Sequence, residues 1–588
     1  MAGDSIIDAV STDKLMQYTE GVSRWVRLSG SEGEAHAFDY LQSTLEALGL
    51  AVERFQHDAF ISWPIAAHLE LLRPEPRTLP CITHAFALST PERGVEAEVL
   101  DAGNGEGNNS KLRETDIRDK VLLVDGVASG AKVRAAEDRG ARGIIFLNPP
   151  QLHEMSISTV WGSPTPEGLR QLPRSLVLSV RESDGVILRT AAAERGLRVR
   201  IKTTVDTRWR STSLLVASLA GRTEDRYVLF SGHVDSWHYG VMDNGSANAV
   251  MVEMARIMKR RERQLKRGIR FAFWSGHSHG GYSGSTWYSD SHWEDLHRHA
   301  VLHLNVDSAG GKGATVLSEA QTMAETWGSA ARAIRQITGQ NLANRRVNRM
   351  SDQSFWGIGV PSMFVDISTH PEEEAPPGTQ RTWSPGQEFR WGWWHHTVED
   401  TIDKIDPASL RRDAQIYALI LWEWCTAPVL PLDYTVTARE FEEALRSIQE
   451  SAGSELDLSG PRDAAGRLSV AVAKLTVELE RAGAANSRMT GKRRRNLELL
   501  NSTLMRVGRA LIPINYTESG RFHHDRVATL PAIPVLRRAA DLQHGMPDSD
   551  EYKALQVRLL RESNRVTHAL NTANEAVEEA LQRIHEKR

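Results

Sequence analysis

After Arg226, short apolar runs alternate with helical periodicity, and this alternation restricts the fold more than any other feature of the sequence. The runs cover residues 227–230, 269–274 and 300–306, and a helical pattern fills residues 247–260 between the first two. Almost wholly apolar strands separated by helices are typical of a sheet that is buried on both faces and largely parallel. The sequence therefore predicts an α/β fold with a mixed, largely parallel sheet between helices.

The chain is too long for one hydrophobic core. It has 588 residues, whereas single cores stop growing at about 250 to 300 residues. Short apolar runs between turn residues are typical of the region from Pro91 to Arg200, and helical periodicity dominates after Thr435. We therefore expect a β-rich insert within the α/β core, followed by a helical C-terminal domain. The expected divisions are residues 1–75 (first part of the core), 76–208 (insert), 209–432 (core) and 433–588 (helical domain).

The charge balance restricts the partners. Lysine and arginine total 71 and aspartate and glutamate total 75, which gives a net charge of −4 with both signs mixed along the chain. No basic field exists to hold nucleic acid or anionic lipid, so we expect peptides or small molecules as partners. The apolar stretch of residues 416–425 contains Glu423 and is shorter than the roughly 20 residues that a bilayer needs. Residues 1–8 lack a basic start followed by an apolar run, so we expect a cytoplasmic location.

The chain has two cysteines, Cys81 and Cys425, which lie far apart in sequence. A disulfide scaffold and a cysteine-rich zinc module are therefore excluded. A metal site in this chain would have to use histidines and carboxylates.

Such residues follow the apolar runs. His233 and Asp235 come directly after the first run, and Asp307 follows the third. Functional groups gather at the carboxyl ends of strands in open α/β sheets, so we expect these side chains to lie together. Asp235 is close enough in sequence to orient the imidazole of His233, as a metal-binding histidine requires.

Further candidates lie in three other motifs. Asp243 opens the helical pattern and is either a helix N-cap or a metal ligand. His277 and His279 follow the second run, and His395 and His396 stand together much later in the chain. Each motif alone is weak evidence, but their order along the chain favours a metal site.

This order resembles the zinc exopeptidase family that includes leucyl aminopeptidases, glutamate carboxypeptidase II and, as a non-catalytic relative, the transferrin receptor. Residues 117–124 and 136–145 resemble the protease-associated domain found in such proteins, and residues 516–525 resemble their dimerisation domain. The resemblance covers most of the chain. It implies a zinc-peptidase-like core, a protease-associated-like insert and a homodimer formed through the C-terminal helices.

The resemblance also implies the ligands of one or two divalent ions, zinc above others. His233 and Asp307 would bind one ion, Asp243 would bridge two, and His396 would bind the second. Asp235 would orient the imidazole of His233 without binding the metal itself. His395 occupies a place where many relatives have a tyrosine that donates to the oxyanion, and an imidazole N–H could also donate there.

The chain departs from the family in the loop after the second run. Family members carry two adjacent glutamates there, first a general base and then a metal ligand, whereas this loop contains His277, Ser278 and His279. Counted forward from the run, His277 falls on the base position and Ser278 on the ligand position. Counted back from Ser285, Ser278 and His279 take these positions. The loss of up to two negative charges should weaken binding of a second ion.

Two metal arrangements therefore stay open at this stage. Either one ion is held by the strand-end ligands and Asp243, with help from His396, or two ions are held with His277 or His279 replacing the lost ligand.

The leading hypothesis is a metal-dependent hydrolase of a peptide or other amide bond, with metal-bound water as nucleophile. His277 is the favoured base, because imidazole has an ordinary pKa of about 6.5. The alternatives are an inactive loop and a non-catalytic binding protein that retains the peptidase fold. Retention of all four family ligands favours the enzyme. Six aromatic residues near these motifs could line a substrate pocket or belong to the core: Trp237, Trp383, Phe389, Trp391, Trp393 and Trp394.

Overall fold

The computed structural model describes residues 6–105, 115–148, 150–371, 382–384, 387–388, 390–484 and 491–586. The strands of these residues are β1 (Ala51–Arg73), β2 (Arg77–Leu79), β3 (Ile82–Thr83), β4 (Val95–Asp101), β5 (Val121–Asp125), β6 (Gly143–Asn148), β7 (Leu176–Arg181), β8 (Arg198–Leu219), β9 (Tyr227–His233), β10 (Gly268–Trp274), β11 (Ala300–Asn305), β12 (Gln321–Thr322), β13 (Arg345–Arg346), β14 (Ser362–Met363), β15 (Thr382–Ser384) and β16 (Gln387–Glu388).

The α-helices of the same residues are α1 (Thr12–Val22), α2 (Glu32–Ala47), α3 (Gly130–Glu137), α4 (Pro166–Leu169), α5 (Glu182–Arg195), α6 (Ala247–Arg260), α7 (Ser283–Ser291), α8 (Trp293–His299), α9 (Trp327–Thr338), α10 (Pro407–Thr426), α11 (Tyr434–Ala452), α12 (Ser459–Ala484), α13 (Gly491–Tyr516) and α14 (Asp550–Glu586). Short 3-10 helices are Glu262–Gln264, Ala324–Thr326, Ile402–Lys404, Gly453–Glu455 and Pro534–Gln543, and a single wide turn, Val241–Ser246, precedes α6.

Fourteen of the described strands form one sheet in the order β13-β12-β14-β11-β9-β10-β8-β4-β5-β6-β7-β3, with β1 beside β8 and β2 beside β1. Strands β14, β11, β9 and β10 are parallel neighbours, and β8 runs antiparallel to β10. Every residue of β9 and β11 is buried. The prediction of a mixed, largely parallel sheet between helices is confirmed.

The central sheet has a hydrophobic core on each face, as the apolar runs predict. Along β9, Val228 and Phe230 belong to the core that includes residues of α1, α6 and α10. Tyr227 and Leu229, which alternate with them, pack on the other face with residues of α7 and α8. Successive side chains of a strand point to opposite faces, so both faces must be covered when every residue is apolar.

Two very long strands connect the central sheet to the region between them in sequence. β1 and β8 pair antiparallel from Ala51 opposite Ser218 to Arg73 opposite Arg198. The carboxyl-terminal half of β8 pairs with β10, and its amino-terminal half pairs with β4. Strands β4 to β7 are parallel neighbours with their own hydrophobic clusters. The domain boundaries and the protease-associated-like character of this insert stay predictions.

The C-terminal region is helical from α11 to α14, as predicted. Buried Arg509 of α13 attaches it to the core by donating hydrogen bonds to the carbonyls of His297 at 2.8 Å, Gly359 at 2.5 Å and Ala300 at 2.5 Å. Among the described residues, no helix is long and apolar enough to cross a membrane. Pairing of two chains through this region and the cytoplasmic location stay predictions.

Glu325 is a buried carboxylate where the core meets the helical region. Its side chain accepts a hydrogen bond from the hydroxyl of Thr437 in α11 at 3.0 Å, and its backbone carbonyl accepts one from the Asp433 N–H at 2.9 Å. Burial raises the pKa of Glu325 from 4.5 to about 7. The folded state therefore favours the neutral acid, and ionisation opposes folding.

We predict that Glu325→Gln gains stability over the parent protein as the pH rises. Below pH 4.5 the carboxyl is protonated in both states, and the penalty of ionisation grows until the pH passes the folded pKa of about 7. The difference in unfolding free energy should grow by about 1 to 3 kcal/mol over this window. Urea unfolding at pH 5 and pH 8 measures it, with Glu443→Gln on the exposed side of α11 as control. A gain that is equal at both pH values would contradict the prediction.

Candidate metal centre

The carboxyl ends of three neighbouring strands bring together the first set of candidates. His233 is the last residue of β9, His277 lies in the loop after β10, and Asp307 lies two residues beyond β11. The rings of His233 and His277 stack with centroids 3.7 Å apart. His233 Nε2 lies 3.6 Å from Asp307 Oδ1. Since these strands are parallel, their ends meet at one edge of the sheet, as expected for a functional site.

The carboxylate of Asp243 lies between imidazoles from two distant parts of the chain. Its Oδ1 is 3.1 Å from His233 Nε2, and its Oδ2 is 2.9 Å from His396 Nε2 and 3.4 Å from His395 Nε2. Asp243 does not cap α6, whose N-cap position is Ser246. The structure thus places Asp243 between imidazoles and not at a helix cap.

Arg27 shapes the loop that separates His233 from Asp243. This fully buried guanidinium donates hydrogen bonds to the carbonyls of Val234 at 2.7 Å, Tyr239 at 2.7 Å and Gly240 at 2.9 Å. Gly240 has φ +46°, and a Cβ there would lie 2.3 Å from the carbonyl oxygen of Asp243. Glycine is therefore required at this turn.

Backbone carbonyls fix the tautomers of two of the imidazoles. His233 Nδ1 lies 2.8 Å from the carbonyl oxygen of Asp235, and His396 Nδ1 lies 2.8 Å from that of Glu154. A carbonyl can only accept a hydrogen bond, so each Nδ1 carries a proton and Nε2 is the nitrogen that can bind a cation. His233 Nε2 is buried and has no hydrogen-bond partner among the described residues. A cation between these atoms fits the donors that are present.

The candidate ligands form two groups. The first cluster is His233, His277 and Asp307, and the second cluster is Asp243, His395 and His396. Within each cluster, one ligand atom of every member lies within 4.8 Å of the others. Imidazole nitrogens and carboxylate oxygens are typical zinc ligands. The donor set therefore fits a divalent metal of the zinc type.

The charges around His233 also fit a cation. Burial disfavours a charged imidazole, but the carboxylates of Asp307 and Asp243 outweigh it and raise the pKa of His233 well above its ordinary range. Burial likewise opposes ionisation of Asp243, yet His233, His395 and His396 hold its pKa well below the ordinary value. Both pKa shifts show that the two buried carboxylates favour positive charge beside them. A metal ion would also supply that charge.

Asp235 has a different role from the expected one. Its carboxylate lies 3.8 Å from His233 Nδ1, whereas its carbonyl makes the 2.8 Å contact. The carboxylate instead accepts hydrogen bonds from the Ser29 hydroxyl at 2.6 Å and from the backbone N–H groups of His277 at 3.2 Å and Ser278 at 2.8 Å. Asp235 therefore orients His233 with its backbone and holds the His277 loop with its side chain.

His279 is not brought to either cluster among the described residues, although it was a candidate for the lost ligand. Its Nδ1 lies 3.1 Å from the Ser29 hydroxyl, and its ring packs on Trp237 with centroids 4.0 Å apart. Burial lowers the pKa of His279 to about 3. The third member of the second cluster is His395, which was expected as an oxyanion donor. Its ring stacks on that of His396, and the Nε2 atoms of both rings lie near Asp243.

Three residues that support the clusters lie outside the sequence prediction. Asp352 Oδ2 is 3.0 Å from His277 Nδ1, and the Ser351 hydroxyl donates to Asp307 Oδ2 at 2.9 Å. Asp400 accepts the backbone N–H of Asp243 at 3.0 Å, and burial raises its pKa to about 7. Ser351 and Asp352 follow no apolar run, so periodicity gave no signal for them. Asp400 stands four residues after His396, which is the one hint that the sequence offered.

A cavity of about 1130 Å³, counted out to its open mouth, lies over both clusters. Its wall includes residues 128–131, 155, 156, 158 and 159 of the insert and residues 527–529 of the C-terminal region. Trp237 and Trp391 line it, as does Tyr282, which was not among the candidates. Trp394 and Trp393 pack on the core, while Phe389 and the side chain of Trp383 lie outside the described residues.

Known proteins with related sequences and structures agree with this fold. Residues 215–421 match the model of peptidase family M28. A maize protein described as a probable glutamate carboxypeptidase VP8 is 22% identical, with 90% of this chain and 84% of that protein covered. Carboxypeptidase Q of Xenopus laevis is 23% identical, with 70% and 84% covered.

Solved structures show the same fold. A zinc aminopeptidase from Bacillus subtilis is 20% identical, with a TM-score of 0.54, and the match covers 72% of this chain and 97% of that one. A peptidase M28 precursor from Shewanella amazonensis is 19% identical, with a TM-score of 0.57 and 73% and 97% covered. Fold, site and relatives together define a metal-dependent peptidase. The part of the chain that matches peptidase family M28 is residues 215–421.

We predict that zinc retention separates the clustered histidines from His279. His233→Ala and His395→Ala each remove a buried ligand and should lower the zinc retained after dialysis, measured by mass spectrometry of the metal. His279→Ala is the matched control, because it removes a buried imidazole of the same site region that lies in neither cluster. Equal zinc loss in His279→Ala and His395→Ala would contradict the assignment.

Proposed function

We propose that this peptidase hydrolyses a peptide or related amide bond with His277 as the general base in place of the family's glutamate. The observation that carries the proposal is the contact of His277 Nδ1 with Asp352 Oδ2 at 3.0 Å. His277 lines the cavity and stacks on His233, so it stands beside the first cluster and faces the space a substrate would fill.

The carboxylate of Asp352 decides which nitrogen of His277 is available. Asp352 is fully buried, and its ionised form can only accept a hydrogen bond. The proton of a neutral His277 therefore lies on Nδ1, and Nε2 is free to accept one. A carboxylate that orients an imidazole in this way is a recurrent arrangement for proton transfer.

We further propose two cation sites that share Asp243. The two oxygens of Asp243 face different imidazoles, and each site has a second anchor, Asp307 in one case and the His395–His396 pair in the other. When bound, zinc would polarise the substrate carbonyl and activate a water molecule. The residues of the chain supply the geometry: they hold the cations, exclude bulk water and accept the proton at His277.

A second role for His277 has a specific observation in its favour. It belongs to the first cluster, so it could be a third ligand beside His233 and Asp307 instead of a base. A ligand and a base respond differently to substitution, since only loss of a ligand weakens metal binding. The non-catalytic binding protein remains the alternative if no substrate is turned over.

We predict that His277→Gln lowers the rate by about 100-fold or more while zinc content stays at the level of the parent protein, as expected for loss of a general base. Asp352→Asn should lower the rate in the same direction, because its amide can no longer hold the Nδ1 proton of His277. Initial rates on dipeptides, N-acyl amino acids and aminoacyl arylamides measure the effect, with and without chelator.

His279→Gln serves as control in the same loop and should keep most of the activity. Loss of zinc in His277→Gln would identify a ligand and contradict the base assignment. Turnover that survives both His277→Gln and chelator treatment would contradict the proposed reaction, and no turnover by the zinc-loaded parent protein would favour the binding protein.

A further inference from the structure

His153 and Glu154 of the insert contact the loop that carries His395 and His396. These residues lie in the connection that follows β6. His153 Nδ1 lies 2.7 Å from the carbonyl oxygen of His395. The Glu154 N–H donates to the carbonyl oxygen of His396 at 2.9 Å, and the Glu154 carbonyl accepts the Nδ1 proton of His396 at 2.8 Å.

The contact is supported from within the insert. Buried Asn148, the last residue of β6, accepts the backbone N–H of His153 at 2.9 Å and donates to the carbonyl of Gly126 at 3.0 Å. On the other side, the carbonyl of Met155 accepts the N–H of Ala85 at 3.1 Å. Hydrogen bonds within the insert therefore hold residues 153–155, which in turn contact the loop of His395 and His396 (the ligand loop).

The two clusters differ in where their supporting carbonyl comes from. The imidazole of His233 is oriented by Asp235, two residues away on the same loop, so the first cluster is complete within the core. The imidazole of His396 is oriented by Glu154, 242 residues away in sequence. The rings of His395 and His396 stack with centroids 4.0 Å apart, so a shift of one ring moves the other.

We propose that His153 and Glu154 are positioning residues of the second metal site. Retention of the ion at Asp243, His395 and His396 then depends on the contact between the insert and the core. The inference rests on the proposed two-cation site and deepens it. Hydrogen bonds behind metal-binding histidines fix the tautomer and ring orientation, and their loss typically costs 10-fold to 100-fold in metal affinity. The imidazole of His233 is instead oriented from within the core, by the carbonyl of Asp235.

The test compares three variants of the full chain. His153→Leu removes the hydrogen bond to the His395 carbonyl. His153→Asn keeps a donor near the position of Nδ1. Thr83→Val is the matched control, since the buried Thr83 hydroxyl donates to the carbonyl of Val177 at 2.9 Å in the same insert, away from the ligand loop. Zinc affinity of metal-free protein is measured by competition with a chromogenic chelator, and thermal unfolding of the metal-free forms reports any general loss of stability.

We expect His153→Leu to weaken one of two zinc sites by about 10-fold to 100-fold and to leave the other unchanged. His153→Asn and Thr83→Val should bind both ions as the parent protein does. Three results would overturn this inference but not the proposed cation sites. His153→Leu could bind zinc as the parent protein does, or it could weaken both sites equally. Thr83→Val could lose as much zinc affinity as His153→Leu. A parent protein that binds no zinc would overturn the proposed cation sites, and the inference with them.

Discussion

The carboxylate of Asp243 lies between imidazoles that are far apart in sequence, and the other residues of the centre hold this arrangement in place. His233 reaches it from the end of β9, and His396 reaches it from a loop about 150 residues further along the chain. Arg27 and Asp400 hold the turn of Asp243 by hydrogen bonds to its backbone. Arg27 donates to the carbonyl of Gly240, and Asp400 accepts a hydrogen bond from the N–H of Asp243. Burying a carboxylate is costly unless positive charge lies beside it, so the buried Asp243 favours a cation at this point.

The proposed replacement of the family's paired glutamates rests on the histidines of this centre. His277 takes a place beside the first cluster, held at its backbone by Asp235 and at its ring by Asp352. His395 joins His396 at the second cluster. Imidazole is neutral where glutamate was charged, which lowers the electrostatic attraction for a dication and favours metals that accept nitrogen ligands.

The positions of the main candidate ligands could be predicted from the sequence because they follow parallel strands. Apolar strands that are parallel end at one edge, and His233, His277 and Asp307 follow three such strands. Helical periodicity after Thr435 also predicted the helical C-terminal region, which contains α11 to α14. What the sequence could not provide was the partner of each imidazole. The groups that orient His233 and His396 are backbone carbonyls, which every residue carries, and Asp352 comes from a segment without periodicity. The role of His395 as an oxyanion donor stays a prediction, and its position 3.4 Å from Asp243 depends on a loop conformation that the sequence does not reveal.

Anomalous diffraction at the zinc edge, from crystals of the intact protein grown with zinc, tests the central claim that Asp243 is shared by two cation sites. The account predicts two peaks, each about 2.0 to 2.2 Å from its ligand atoms. One should lie against His233, Asp307 and Asp243, and the other against Asp243, His395 and His396. No peak at Asp243, or a peak held by Ser278 or His279, would contradict the account.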